Sequence, residues 1–75
     1  MTKLPQVSGR ECVRALQRAG FIVARQSGSH IIMKRLEPQA RVTIPNHNPI
    51  KPGTLRSIIR EAGLTLEEFI ELLNI

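Results

Sequence analysis

Tryptophan and tyrosine are missing from this 75-residue chain, and phenylalanine occurs only twice. The core is therefore expected to be aliphatic, and no exposed aromatic platform is on hand for stacking nucleic-acid bases, so sequence preference toward a nucleic acid would not come from stacking. The single cysteine, Cys12, cannot form an internal disulfide. That excludes a disulfide-stapled secreted miniprotein and fits a reducing cytoplasm. No apolar run approaches the roughly 20 residues that span a bilayer, and Met1-Thr2-Lys3-Leu4-Pro5 has no signal-peptide core. The expectation is a soluble, complete chain forming one domain over residues 1–75, with no membrane contact. The two histidines stand seventeen positions apart with no carboxylate or thiolate at ligand spacing, so neither a zinc site nor a cofactor is expected.

Acidic residues are scarce except at the end. Residues 1–60 set all eleven Lys and Arg against two carboxylates, Glu11 and Glu37, a balance of +9, while residues 61–75 carry four Glu and no base. A basic body attracts polyanions by counterion release, which makes nucleic acid the first partner to consider and a merely solvated surface the alternative. Size sets a further bound. A chain this short hides only about 60% of its unfolded surface on folding, so its stability is modest.

Residues 1–7 read as an extended lead-in, since Pro5 disfavours helix before it. Ser8 then opens a helix with a capping box, its hydroxyl accepting from the Glu11 amide while the Glu11 carboxylate reaches back to the Ser8 amide. Cys12, Val13, Leu16 and Ala19 form an apolar stripe; Arg10, Arg14 and Arg18 form a ridge that is either a solvated face or a track for phosphates. Cys12 lies on the apolar stripe and is read as a buried filler rather than a nucleophile. Gly20 ends the helix as a C′ residue.

Two hairpins follow. Residues 21–26 are rich in β-formers, Ser27-Gly28-Ser29 turns the chain, and residues 30–34 return it as a second strand. A longer turn over residues 35–39 leads to Arg41-Val42-Thr43-Ile44, which alternates as a half-buried strand does. Alternation buries Ile31, Met33, Val42 and Ile44 and leaves His30, Lys34, Arg41 and Thr43 toward solvent. For the first strand, two faces are open: Phe21, Val23 and Arg25, or Ile22, Ala24 and Gln26. Residues 45–50 read as a surface loop, because Pro45 and Pro49 cannot serve a central strand. A second helix begins near Pro52 with Leu55, Ile58, Ile59 and Ala62 inward, and Gly63 closes it. Thr65 and Glu68 repeat the capping box for a short last helix carrying Leu66, Phe69, Ile70, Leu72 and Leu73. The order predicts an α+β domain, α-β-β-β-α plus a terminal helix, with helices on one face of a three-stranded antiparallel sheet.

Within this frame residues 25–34 draw attention. A glycine turn precedes His30 at the start of a strand, with cations at both ends, and such turns leave N–H groups free to meet an anion. By pattern alone an ordinary strand-end histidine is the competing reading. At the start of the second helix, Lys51, Thr54 and Arg56 flank free N–H groups and the positive end of the dipole, which favour anions; routine capping and solubility are the alternative.

The chain resembles the HicA, or YcfA-like, family of toxin ribonucleases. The resemblance is carried by Ser8-Gly9 with the arginine-rich helix, Gly20-Phe21, Arg25-Gln26-Ser27-Gly28-Ser29-His30, Val42-Thr43-Ile44-Pro45 with His47, and Pro52-Gly53-Thr54-Leu55 with Ile58, Ile59 and Ala62-Gly63-Leu64. It covers roughly residues 4 to 73, and the order of these pieces is more specific than any one of them. The resemblance implies a fold like the double-stranded RNA-binding domain, metal-independent cleavage of messenger RNA, and neutralisation by a HicB-type antitoxin. It also implies that His30 is catalytic.

RNA supplies its own nucleophile, the 2′-hydroxyl, so such an enzyme needs a base, cations for the phosphorane, and a proton for the leaving 5′-oxygen. Histidine suits the base. Arg25 or Lys34, with the N–H groups of Gly28 and Ser29, would stabilise charge. His47 either donates the leaving-group proton, binds phosphate or caps a turn. Lys51, Thr54 and Arg56 resemble the phosphate-contacting helix end of double-stranded RNA-binding domains. A non-catalytic RNA-binding module on the same fold is the alternative, and a small DNA-binding or interaction domain the next.

Overall fold

The computed structural model describes residues 3–75, and capping residues and glycines mark several of its element boundaries. Met1 and Thr2, the first residues of the expected lead-in, lie outside the described residues. The order is α1 (Gly9–Arg18), β1 (Ile22–Ser27), β2 (His30–Leu36), β3 (Gln39–Pro45), α2 (Pro52–Glu61) and α3 (Leu66–Leu73). The strands form one antiparallel sheet in the order β1-β2-β3, and helices cover one of its faces.

Both capping boxes are present. At α1 the Ser8 hydroxyl accepts from the Glu11 amide at 3.1 Å and the Ser8 amide donates to Glu11 Oε1 at 2.9 Å. The bond from the Ser8 amide first, and the Ser8 side chain after it, hold the Glu11 carboxyl below the usual carboxylate range. At α3, Thr65 and Glu68 do the same at 3.1 and 2.8 Å. Gly20 and Gly63 follow α1 and α2 with φ of 94° and 77°, the left-handed turn-out that glycine adopts without a Cβ clash.

The core lies between the sheet's inner face and the helices. Ile31, Met33, Val42 and Ile44 enter it from the sheet, Cys12, Ala15 and Leu16 from α1, Leu55, Ile58 and Ile59 from α2, and Phe69 from α3. Burying each large apolar side chain contributes about 1.5–3 kcal/mol. Val13 and Ala19, expected in the stripe of α1, are half-buried, whereas Ala15 is fully buried. Helix α1 faces α3 as well as the sheet, and that rotates the buried stripe toward Ala15.

Four expectations need correction. The first concerns β1. Its pairing with β2 slips at Ala24, between Val23 opposite Met33 and Arg25 opposite Ile32. The bulge puts Ile22 and Arg25 on one face and Val23 and Gln26 on the other, so neither regular alternation applies. All six residues of β1 are exposed, as suits a sheet edge beyond the helices. Second, the turn between β2 and β3 is only Glu37-Pro38, joined by a cis peptide, with Arg35 opposite Ala40 and Leu36 opposite Gln39. Pairing extends that far because Arg35 points inward. Its guanidinium stacks 4.6 Å from the Phe21 ring centroid, donates from Nε to the Pro38 carbonyl at 2.9 Å, and donates to the Ala62 carbonyl at 3.1 Å.

Third, Pro45 is the last residue of β3 rather than loop, opposite His30. An edge strand tolerates its missing N–H. Fourth, the arginine ridge is not one free surface. Arg18 donates to the Leu72 carbonyl at 2.6 Å, supplying the cation that the C-terminal turn of α3 lacks in its own sequence.

Candidate nucleic-acid interface

The site is built at one end of the sheet, where β2 begins and β3 ends. His30 is the first residue of β2, exposed, and opposed by Ser27 on β1 and Pro45 on β3. The connection before it is Gly28-Ser29, with Gly28 at φ 58° and Ser29 at negative φ. This is the signature of a two-residue II′ hairpin turn, which needs glycine first.

The loop after β3 is fastened on two sides. The Asn46 amide donates to the Ser29 carbonyl at 2.7 Å, and the Gly9 amide, at the start of α1, donates to the His47 carbonyl at 2.8 Å. A third bond, from the Ile50 amide to the Val7 carbonyl at 2.8 Å, holds the loop's far end. Gly9 is essential to this approach, because a Cβ there would stand 2.9 Å from Asn46 Cα and closer still to the Pro45 carbonyl oxygen. The turn that carries His30, the loop that carries His47 and the first turn of α1 thus form one fixed assembly, with both histidine side chains exposed.

From His30 the outer face of the sheet runs away from this end. Register and alternation place Arg25, Ile32 and Thr43 across its middle, then Lys34 and Arg41 as a cross-strand pair, then Leu36. The strands carry no carboxylate anywhere. Ala24, Arg25, Ile32, Lys34 and Arg41 line a cavity of about 270 Å³. Leu36 and Ile22 leave this face with an apolar margin, 78% and 56% exposed.

Lys51, Thr54 and Arg56 lie elsewhere, exposed at the start of α2 in the helical layer. Lys51 is the N-cap and makes no side-chain capping bond. With Pro5, Gln6 and Pro49, Lys51 and Arg56 border a groove of about 440 Å³. The expected binding residues therefore fall in three places. Arg25, Gly28, Ser29 and Lys34 share the sheet side with His30, His47 occupies the loop between the layers, and Lys51, Thr54 and Arg56 belong to α2.

Cys12 takes no part. Burial pushes its thiol up to about 12, which leaves it protonated and unreactive. Among the described residues no three His, Cys, Asp or Glu side chains cluster as metal ligands would. Sequence reasoning left Arg41 out of the candidate site and did not foresee the close approach at Gly9. Alternation had put Arg41 on the solvent face, but only cross-strand register brings it to Lys34 and Arg25. The close approach at Gly9 joins residues far apart in sequence and has no local signal.

Residues 9–64 match the family model described as the HicA toxin of bacterial toxin–antitoxin. No curated protein matches the chain.

Proposed function

The chain belongs to the HicA toxin family of bacterial toxin–antitoxin systems, and from that premise we propose that it is an endoribonuclease that cleaves messenger RNA without a metal ion, with His30 as its general base. Family membership makes it the toxin of such a system and gives it an antitoxin as partner. The observation that carries the finer reading is the setting of His30. It is a histidine held by a strand and a tight turn, open to solvent, on a sheet face with cations and no carboxylate.

Neutral imidazole takes the proton from a 2′-hydroxyl, whose oxygen attacks the adjacent phosphorus. The bond from phosphorus to the 5′-oxygen breaks, a 2′,3′-cyclic phosphate forms, and the leaving oxygen takes a proton from water. Arg25 or Lys34, with the N–H groups of Gly28 and Ser29, offsets the charge gathering on the phosphorane oxygens. His47 binds the RNA beside them, and Lys51, Thr54 and Arg56 hold phosphates of a neighbouring stretch at the start of α2. The whole chain acts as a single domain in the cytoplasm. Its antitoxin is of the HicB type and covers the basic face around His30 with acidic groups.

The test uses the nucleophile. RNA incubated with the protein in chelator is expected to give fragments ending in 2′,3′-cyclic phosphate, and a 2′-deoxy substitution at the cut nucleotide is expected to abolish cleavage there. RNA that stays intact and only shifts in mobility, with a strong salt dependence, would replace this reading with a binding-only module.

A further inference from the structure

The cavity on the outer face of the sheet lies apart from the α2 cations, and one of its lining residues, Arg41, has no part in the reaction set out above. Three cations from three different strands converge on it: Arg25 from β1, Lys34 from β2 and Arg41 from β3. Lys34 and Arg41 are direct cross-strand partners, and Arg25 faces Ile32. Like charges placed opposite each other across a sheet destabilise it, and with no carboxylate on any strand nothing within the sheet offsets them. The arrangement calls for an anion from outside.

We propose that this cavity is a phosphate subsite for single-stranded RNA, and that Arg41 is a substrate-binding residue alongside Arg25 and Lys34. The identity of the anion rests on the ribonuclease reading; the subsite itself does not rest on the chemistry assigned to His30. Ile32, at the floor, lies two residues from His30, about 7 Å along the strand. One strand of RNA therefore reaches both the subsite and His30. A space of about 270 Å³ takes a phosphate with its ribose, whereas duplex RNA is read by spaced contacts over about 16 base pairs. Ile32 offers an aliphatic surface to the sugar. Without an aromatic on this face the binding is chiefly electrostatic, tolerant of sequence and sensitive to salt.

The test measures binding of a fluorescently labelled, unstructured oligoribonucleotide to full-length His30→Ala protein over a range of salt concentrations, so that cleavage does not interfere. Each phosphate contact on a single strand contributes about 0.7 to the slope of log affinity against log salt. Arg41→Gln is expected to flatten the slope by about 0.7, and the triple variant Arg25→Gln, Lys34→Gln, Arg41→Gln by about 2. Arg60→Gln, on α2, is expected to leave it unchanged, as is competition by duplex RNA of equal length at stoichiometric amounts. Unfolding midpoints measured on the same samples separate lost contacts from lost structure. An unchanged slope in the folded triple variant, or a duplex that competes as well as the single strand, overturns the subsite alone. If no RNA binds, the subsite and the ribonuclease reading fall together; if His30→Ala still cleaves, the base assignment fails and the slopes still decide the subsite.

Discussion

Replacing Gly9 by alanine tests how the site is held together, because the usual sign of that substitution should reverse here. At an ordinary helical position glycine costs roughly 0.5–1 kcal/mol relative to alanine, so the exchange stabilises. Gly9 is not among the glycines with positive φ, so its backbone suits alanine. Space is the obstacle. The new Cβ would meet the Pro45 carbonyl oxygen inside any real contact distance, with Asn46 Cα at 2.9 Å and the Pro45 carbonyl carbon at 3.3 Å. All three are backbone atoms, so no side chain can swing aside. Either α1 withdraws from the loop, lengthening the 2.8 Å bond from Gly9 to the His47 carbonyl, or the loop shifts and strains the 2.7 Å bond from Asn46 to Ser29. With only backbone atoms to give way, the overpacking belongs to the upper part of its usual range, about 2–3 kcal/mol, which leaves a net loss of about 1–2 after the helix gain. For a domain of this size that lowers Tm by about 5–15 °C. Gly53→Ala is the matched control, since nothing lies within 4 Å of its Cβ position; it should stabilise by about 0.4–1 kcal/mol. Thermal unfolding followed by circular dichroism reads both. A Gly9→Ala protein as stable as wild type would refute the close approach and the fixed assembly derived from it.

Arg35→Ala should lower stability by about 2–3 kcal/mol in urea unfolding, since a stacked ring and two charged donors are lost at once. Arg35→Lys should recover less than half of that, because an ammonium cannot span both the Pro38 and Ala62 carbonyls. Cys12 should react with a thiol reagent at mildly alkaline pH only as fast as the protein opens, its thiol being pushed up to about 12 by burial; prompt labelling of the native protein would contradict the packing of α1. Glu11 should contribute an acid limb to stability. Its carboxyl is held low in the folded state by the Ser8 amide and hydroxyl, so its contribution is complete above the unfolded pKa and fades as pH falls through the folded one. Urea midpoints measured from about pH 6 to about pH 3 should show a shallower decline for Glu11→Gln than for wild type.

Features encoded by neighbours in the chain were legible in the sequence. The two capping boxes need only residues three apart, and the burial of Ile31, Met33, Val42 and Ile44 needs only strict alternation. Where distant contacts decide, the reading stopped short. The bulge at Ala24 breaks the period of β1, and nothing within that strand announces it. Arg35 looked like a turn residue because its partners, Phe21 and the Ala62 carbonyl, lie on other elements. Arg18 looked like part of a surface ridge for the same reason, its carbonyl partner being on α3. At the site, His30 and the solvent-facing side of β2 and β3 were legible. The separation of Lys51, Thr54 and Arg56 from Lys34 and Arg41 followed from placing the helices on the other face, whereas the face of Arg25 was not legible, because the bulge in β1 sets it. The chemistry assigned to His30 rests on the family, since strand position alone fits an ordinary histidine as well.

The most direct test of the central claim is the rate of RNA cleavage in chelator by His30→Ala beside wild type, under single-turnover conditions and with matched unfolding midpoints. A general base contributes roughly 10²–10⁴-fold, so the variant should cleave at least about a hundred times more slowly while still binding RNA. A folded His30→Ala protein that cleaves within about tenfold of wild type would remove His30 from the chemistry.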